Sequence, residues 1–306
     1  MAHNWQVTEG YAHARGGRVW YQLVGNGPGV PLATVHGGPG ATHDYLEPLE
    51  GLAGDRPVLF YDQLGAGKSA APDDRELWTN DRLVDELEGV LDAAGLPTVH
   101  LLGHSWGTMP AAEFALRAPE RVLSLVLSDP LLSMPLFAAA TAELRAALPP
   151  DVQEILDRHE RAGTTDSEEY QEASMEFNRR YVCRLDPMPE PLMRSFGQAN
   201  QAIYEHMQGP SEFLITGSEK DYDITGRLGD ITAPTLYICG RYGETRPEET
   251  TLYHSMTPGS ELEIFEESSH VPHLEEPERY LEVLRDFLRR AEQTASHGRA
   301  QPTVPN

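Results

Sequence analysis

Basic residues are scarce. Lys and Arg together number 24 in 306 residues, against 48 Asp and Glu, for a formal net charge of −24. So acidic a chain offers no basic patch to a nucleic acid or an anionic membrane, and neither is expected as a partner. Cysteine is scarcer still: only Cys183 and Cys239 occur, far apart and in no metal-ligand spacing. That points to reduced thiols in the cytoplasm and to no metal centre. No apolar run approaches the roughly 20 residues of a membrane span. The start, Met1-Ala-His-Asn-Trp-Gln, lacks the basic-then-apolar pattern of a secretion signal. Repeats and low-complexity tracts are missing as well.

What is present is an ordinary globular composition, 40% hydrophobic and 24% charged. The length suits one large domain with an insertion, or two ordinary domains. The chain is organised around Gly103-His104-Ser105-Trp106-Gly107. Thr98-Val-His-Leu-Leu before it reads as a short strand, and Thr108-Met-Pro-Ala-Ala-Glu-Phe-Ala-Leu after it as a helix. A G-x-S-x-G between strand and helix is a nucleophile elbow, which presents Ser105 at the strand's carboxyl end with a helix N-terminus behind it. Glycines at 103 and 107 fit a turn too tight for a Cβ.

Alternation of strand and helix patterns surrounds this point. Residues 5–12 and 17–24 read as a hairpin around Gly16-Gly17, and 31–36, 57–61, 121–127, 234–240 and 261–265 as further strands. Helices are expected over 78–94 and 277–290. Such alternation implies a mostly parallel, doubly wound sheet. Between about 132 and 230 it stops in favour of helical periodicity, which reads as a lid over the strand ends. We therefore expect a core of residues 1–130 and 231–292, a helical cap over 131–230 inserted between strands 6 and 7, and a disordered tail over 293–306. The run Asp62-Gln-Leu-Gly-Ala-Gly-Lys-Ser69 is short of a glycine for a phosphate-binding loop.

Several motifs in this order resemble the proline iminopeptidase family of α/β-hydrolases: His36-Gly-Gly-Pro-Gly40, Asp62-Gln-x-Gly-x-Gly-x-Ser69, Gly-x-Ser105-Trp-Gly107, Gly209-Pro-Ser-Glu212-Phe and Gly240-Arg-Tyr. The resemblance implies an α/β-hydrolase fold and a serine peptidase or amidase that frees an N-terminal aminoacyl group through an acyl-enzyme, without metal or cofactor. It assigns Ser105 as nucleophile and His270, in Ser-His270 after the last strand, as base. Backbone N–H groups of Gly37, Gly38 and Trp106 would form the oxyanion hole. Glu212 and Glu244 match the two glutamates that read the substrate's ammonium. His273, the other histidine of the same stretch, reads as a polar neighbour or helix-start residue, His36 as structural, and His104 as pointing away from the nucleophile.

One departure matters. The family carries its triad Asp where this chain has Gly243. Without an acid, the histidine base loses the group that fixes its tautomer. Asp129, in Ser128-Asp129-Pro130 just past strand six, keeps the chain order Ser…Asp…His and is the replacement we expect. An Asp before proline is also an ordinary turn residue, and Glu244 is a second candidate acid. The leaving amine could be a peptide or an aminoacylated small molecule, as in biosynthetic amidases of polyketide macrolactam pathways. Met134, Phe137, Met175, Phe177, Met188, Met193, Phe196 and Met207 could line an apolar channel for the latter, or pack the cap's own helices. A non-catalytic binding protein is the reading the lost Asp leaves open.

Overall fold

The computed structural model describes residues 5–299. Strands β1 (Val7–Ala14) and β2 (Gly17–Val24) pair as the expected antiparallel hairpin, from Val7 opposite Val24 to Ala14 opposite Gly17. Then come β3 (Leu32–Val35), β4 (Val58–Tyr61), α1 (Asn80–Ala93), β5 (Val99–His104), α2 (Thr108–Arg117) and β6 (Val122–Ser128). Five helices follow before the sheet resumes: α3 (Met134–Ala146), α4 (Pro150–Ala162), α5 (Glu168–Tyr181), α6 (Glu190–Gln198) and α7 (Gln201–Met207). The chain closes with β7 (Thr235–Gly240), α8 (Pro247–Met256), β8 (Glu261–Phe265), α9 (Pro272–Glu275) and α10 (Pro277–Arg299).

The eight strands form one sheet in the order β1-β2-β4-β3-β5-β6-β7-β8. Pairing is antiparallel at β1–β2 and β2–β4 and parallel from β4 onward. The central strands alternate between two cores. Leu101, Leu125, Leu127 and Tyr237 face α1 and α2, whereas Leu102, Val126, Leu236 and Ile238 face α10 and the turn around Leu46 and Leu49. Both faces are covered, which is why these strands read as continuous apolar runs.

Helix α1 shows the local logic. The Thr79 hydroxyl accepts the N–H of Arg82, satisfying a donor the first turn leaves unpaired. Leu83, Val84, Leu87, Val90 and Leu91 form its buried face, as the periodicity requires. The inserted helices hold a small core of their own, with Leu148, Leu156, Tyr170 and Phe177 among its buried members.

The expected tail is corrected in part: residues 293–299 continue α10, and 300–306 lie outside the described residues. No Gly or Pro interrupts the chain from Glu278 until Gly298, so nothing in the sequence stops the helix at 293. Among the described residues, no helix is long and apolar enough to cross a membrane.

Candidate active site

Ser105 follows β5 directly and has φ of 55°. Asp129, at the end of the neighbouring β6, has φ of 49°, and these two are the non-glycine residues of positive φ among the described residues. Left-handed backbone is costly for a residue with a Cβ and concentrates at functional sites. The elbow packs as tightly as the motif implies: a Cβ on Gly107 would lie 2.2 Å from the Val35 carbonyl oxygen. Thr108 Oγ1 donates to the Ser105 carbonyl and accepts the N–H of Leu131, tying the elbow to the start of the insertion.

The loop after β3 lies against the nucleophile. A Cβ on Gly37 would meet Ser105 Cβ at 2.6 Å, so this position admits no side chain. The Gly37 N–H, however, is given to the Tyr45 hydroxyl at 2.7 Å. That corrects its expected place in the oxyanion hole: the donor is already spent. Among the described residues, no side chain takes the N–H of Gly38 or Trp106, and both residues line the pocket at Ser105.

His270 lies between the two candidate acids, each against a different ring nitrogen. Asp129 Oδ1 is 4.0 Å from Nδ1, and Glu244 Oε1 is 3.5 Å from Nε2. The acid of a triad must face Nδ1, the nitrogen remote from the nucleophile. Glu244 stands at the other nitrogen, which corrects its reading as a second candidate acid. Asp129 is fully buried and accepts from the Gly240 N–H at 3.3 Å, the Thr245 hydroxyl at 3.3 Å and the Ser128 hydroxyl at 3.1 Å. Burial pushes its carboxyl well above the usual range, an effect these donors only partly offset. Burial, helped by the neighbouring His104, holds the His270 imidazole well below 6.5, so it stays neutral. Among the described residues no hydrogen bond joins Ser105 Oγ to the His270 ring, although both face one pocket.

Gly243 packs close to the Ser269–His270 backbone. A Cβ there would sit 3.3 Å from Ser269 C and O and 3.4 Å from His270 N. A side chain at this position is therefore aimed at the base's own backbone, where the resemblance places an Asp.

Glu212 and Glu244 line the same pocket as Ser105. Glu212 accepts from Gln208 Nε2 at 3.1 Å and from the Tyr204 hydroxyl. The N–H of Glu244 is held by the Tyr181 carbonyl at the end of α5, while its Oε2 is buried without a partner among the described residues. Burial raises both carboxyls, and the charge of Glu212 raises Glu244 further. Two such carboxyls facing one cavity repel one another when ionised, a repulsion relieved by a proton on one of them or by a bound cation.

Sequence reasoning missed Tyr45. Its hydroxyl takes the Gly37 N–H and donates to His104 Nδ1 at 2.9 Å; His104 Nε2–H donates in turn to the His270 carbonyl at 2.8 Å. The loop after β3, the elbow and the base loop are thus joined by one chain of hydrogen bonds. Contrary to the expectation that it points away, His104 lines the pocket at Ser105, but both of its ring nitrogens are committed to this chain of bonds, which makes it a structural link. Tyr45 carries no local motif that would mark it. His36 donates from Nδ1 to the Gly37 carbonyl and accepts the Gln63 N–H at Nε2, and His273 donates to the Tyr45 carbonyl; both are structural, as read for His36.

The expected apolar channel is mostly core. Met134, Phe137 and Met207 belong to the main core, Phe177 to that of the insertion, and Met188 packs on the second core. Met175 and Phe196 line a groove leading out from Gly38, Tyr204 and Glu212, and Met193 is exposed. Among the described residues, His43, Asp44 and Glu47 lie close enough together for a metal ion. They are already engaged, His43 by Asp62 and the two carboxylates by Arg194.

Comparison with known proteins bears on this arrangement. Residues 30–277 match the family described as alpha/beta hydrolase fold. The proline iminopeptidase of Heyndrickxia coagulans is 48% identical over 283 residues, covering 92% of this chain and 98% of that protein. The crystal structure of VinJ matches with a TM-score of 0.89 at 39% identity, covering 93% of this chain and 99% of that one. Proline iminopeptidase from Mycobacterium smegmatis matches with a TM-score of 0.85 at 36% identity, covering 94% of this chain and 100% of the other.

Proposed function

The chain belongs to the proline iminopeptidase family of α/β-hydrolases and is a hydrolytic enzyme, and from that premise we propose that it removes an N-terminal aminoacyl residue by serine-dependent acyl transfer. Membership in a family of enzymes sets aside the non-catalytic reading. In the proposed reaction Ser105 Oγ attacks the carbonyl of the aminoacyl group while His270 Nε2 takes its proton. The oxyanion is held by the N–H groups of Gly38 and Trp106, with the α2 N-terminus behind them. His270 then protonates the leaving amine, an acyl-Ser105 ester remains, and water activated by the same imidazole hydrolyses it. Asp129 faces Nδ1 and stabilises the imidazolium that forms twice in the cycle. Glu212 and Glu244 receive the substrate's ammonium through charge-assisted hydrogen bonds.

One observation carries this reading. The two non-glycine residues of left-handed backbone, Ser105 and Asp129, end adjacent strands, and Asp129 stands at the nitrogen of His270 where a triad acid belongs. The test is a panel of prolyl-, alanyl-, glycyl- and phenylalanyl-p-nitroanilides set beside their N-acetylated forms. Hydrolysis of the free-amine substrates, lost in Ser105→Ala and in the acetylated forms, is expected; equal cleavage of both forms overturns amine recognition.

A second reading concerns the leaving group. The groove beyond Glu212 is lined by Met175, Phe196, Ala199 and Pro210, interspersed with amides such as Gln171 and Asn178, and by no Lys or Arg. Nothing there would pair a peptide's terminal carboxylate, which favours a neutral, lipophilic amine as leaving group. Faster release from alanyl-octylamide than from trialanine is the expected result, and the reverse order restores the peptide.

A further inference from the structure

Glu244 has two claims on its carboxylate. Its Oε1 lies 3.5 Å from Nε2 of His270, the nitrogen that must be bare to accept the Ser105 proton. Its Oε2 is buried with no partner among the described residues and lines the pocket shared with Glu212. In its ionised form, a carboxylate at this distance from Nε2 favours the tautomer with its proton on that nitrogen. At the opposite nitrogen, Nδ1 has no hydrogen-bond partner among the described residues, with Asp129 Oδ1 4.0 Å away. Catalysis requires the other tautomer, with Nδ1–H directed at Asp129 and Nε2 open to Ser105.

We propose that Glu244 couples amine recognition to the base: held at Nε2 it keeps the imidazole from Ser105, and the substrate's ammonium frees the ring by claiming the same carboxylate. This rests on the reading of Ser105 and His270 as nucleophile and base. An ammonium bonded to Glu212 and Glu244 offers Glu244 a charged donor in place of a neutral imidazole N–H, and charge-assisted bonds are about twice as strong. The ring's proton then passes to Nδ1 in exchange with the site's own groups, and no proton is gained or lost overall. A substrate without an amine fits the acyl pocket but meets a base that is still engaged. Selectivity for a free amino terminus therefore resides in kcat as well as in KM.

The experiment uses the full-length enzyme and p-nitrophenyl propionate, an ester whose acyl group carries no amine. Methylammonium chloride, titrated against sodium chloride of equal ionic strength, is expected to raise the ester's kcat roughly tenfold. Glu244→Ala is expected to hydrolyse the ester faster than the wild type does, with no response to methylammonium. Inhibition of the wild type by methylammonium, or no effect, overturns the coupling, and that titration stands even if the variant misfolds. Failure of the underlying reading looks different: wild-type enzyme then leaves the aminoacyl p-nitroanilides intact, or Ser105→Ala still cleaves them.

Discussion

Asp129 concentrates the chemistry of a single residue. Its left-handed backbone costs about 1–3 kcal/mol, and its carboxylate is held by one backbone N–H and two hydroxyls rather than by any cation. Asp129→Asn keeps the shape but cannot stabilise an imidazolium, so kcat on alanyl-p-nitroanilide should fall by about 10⁴ with KM little changed. Adding Gly243→Asp to that variant places a carboxylate against the base loop and should restore part of the loss. The Ser269–His270 backbone must yield by a few tenths of an ångström to admit it, so a lower Tm is expected as well. The base makes a prediction of its own. Because burial and His104 lower the His270 pKa, the ring remains unprotonated as pH falls below 6.5, and the acid limb of kcat/KM should lie beneath that value. A limb centred at or above 6.5 contradicts a buried base.

Among the elements, α10 is tied to the segment before β3 by the side chain of Glu292. Glu292 Oε1 accepts from the Val30 N–H at 3.0 Å and from Arg56 at 2.8 Å, and lies 3.3 Å from His100 Nε2. Glu292→Ala strands the buried Arg56 guanidinium without its counter-charge. The expected cost is about 2 kcal/mol, seen as a Tm lower by several degrees with activity on small anilides retained. The elements were legible to the extent that local pattern decides them. The apolar runs of β5, β6 and β7 and the periodicity of α1 needed no tertiary context, and Gly-x-Ser105-Trp-Gly marked its own turn. The gap at 243 and the unexpected acid at 129 mark Asp129 as a candidate from sequence alone, whereas its distance to His270 Nδ1 is set by the fold. What escaped depends on contacts between distant segments. Tyr45 reaches Gly37 and His104 only once three loops converge, and a Gly37 N–H already committed to a hydroxyl cannot be seen in a glycine-rich motif. Likewise, a Met or Phe in a helical insertion has the same signature whether it lines a channel or fills a core.

At the scale of the whole molecule, the net charge of −24 surrounds a pocket proposed to receive a cation. Such a field draws a protonated amine toward the site. For substrates limited by encounter, kcat/KM should fall as salt rises from about 0.01 M to about 1 M, where the Debye length contracts from ~30 Å to ~3 Å. Hydrolysis of a neutral ester should show no such decline. The arrangement of the chain has a wider consequence. Ser105, Asp129 and His270 belong to the sheet's own loops, whereas Glu212, Tyr204 and Gln208 arrive on the segment threaded between β6 and β7. The proposed tool that cuts and most of the proposed gauge that selects the workpiece are thus written on separate stretches of sequence. Exchange of the inserted stretch alone would re-aim the enzyme at a different amine while leaving its cutting edge untouched.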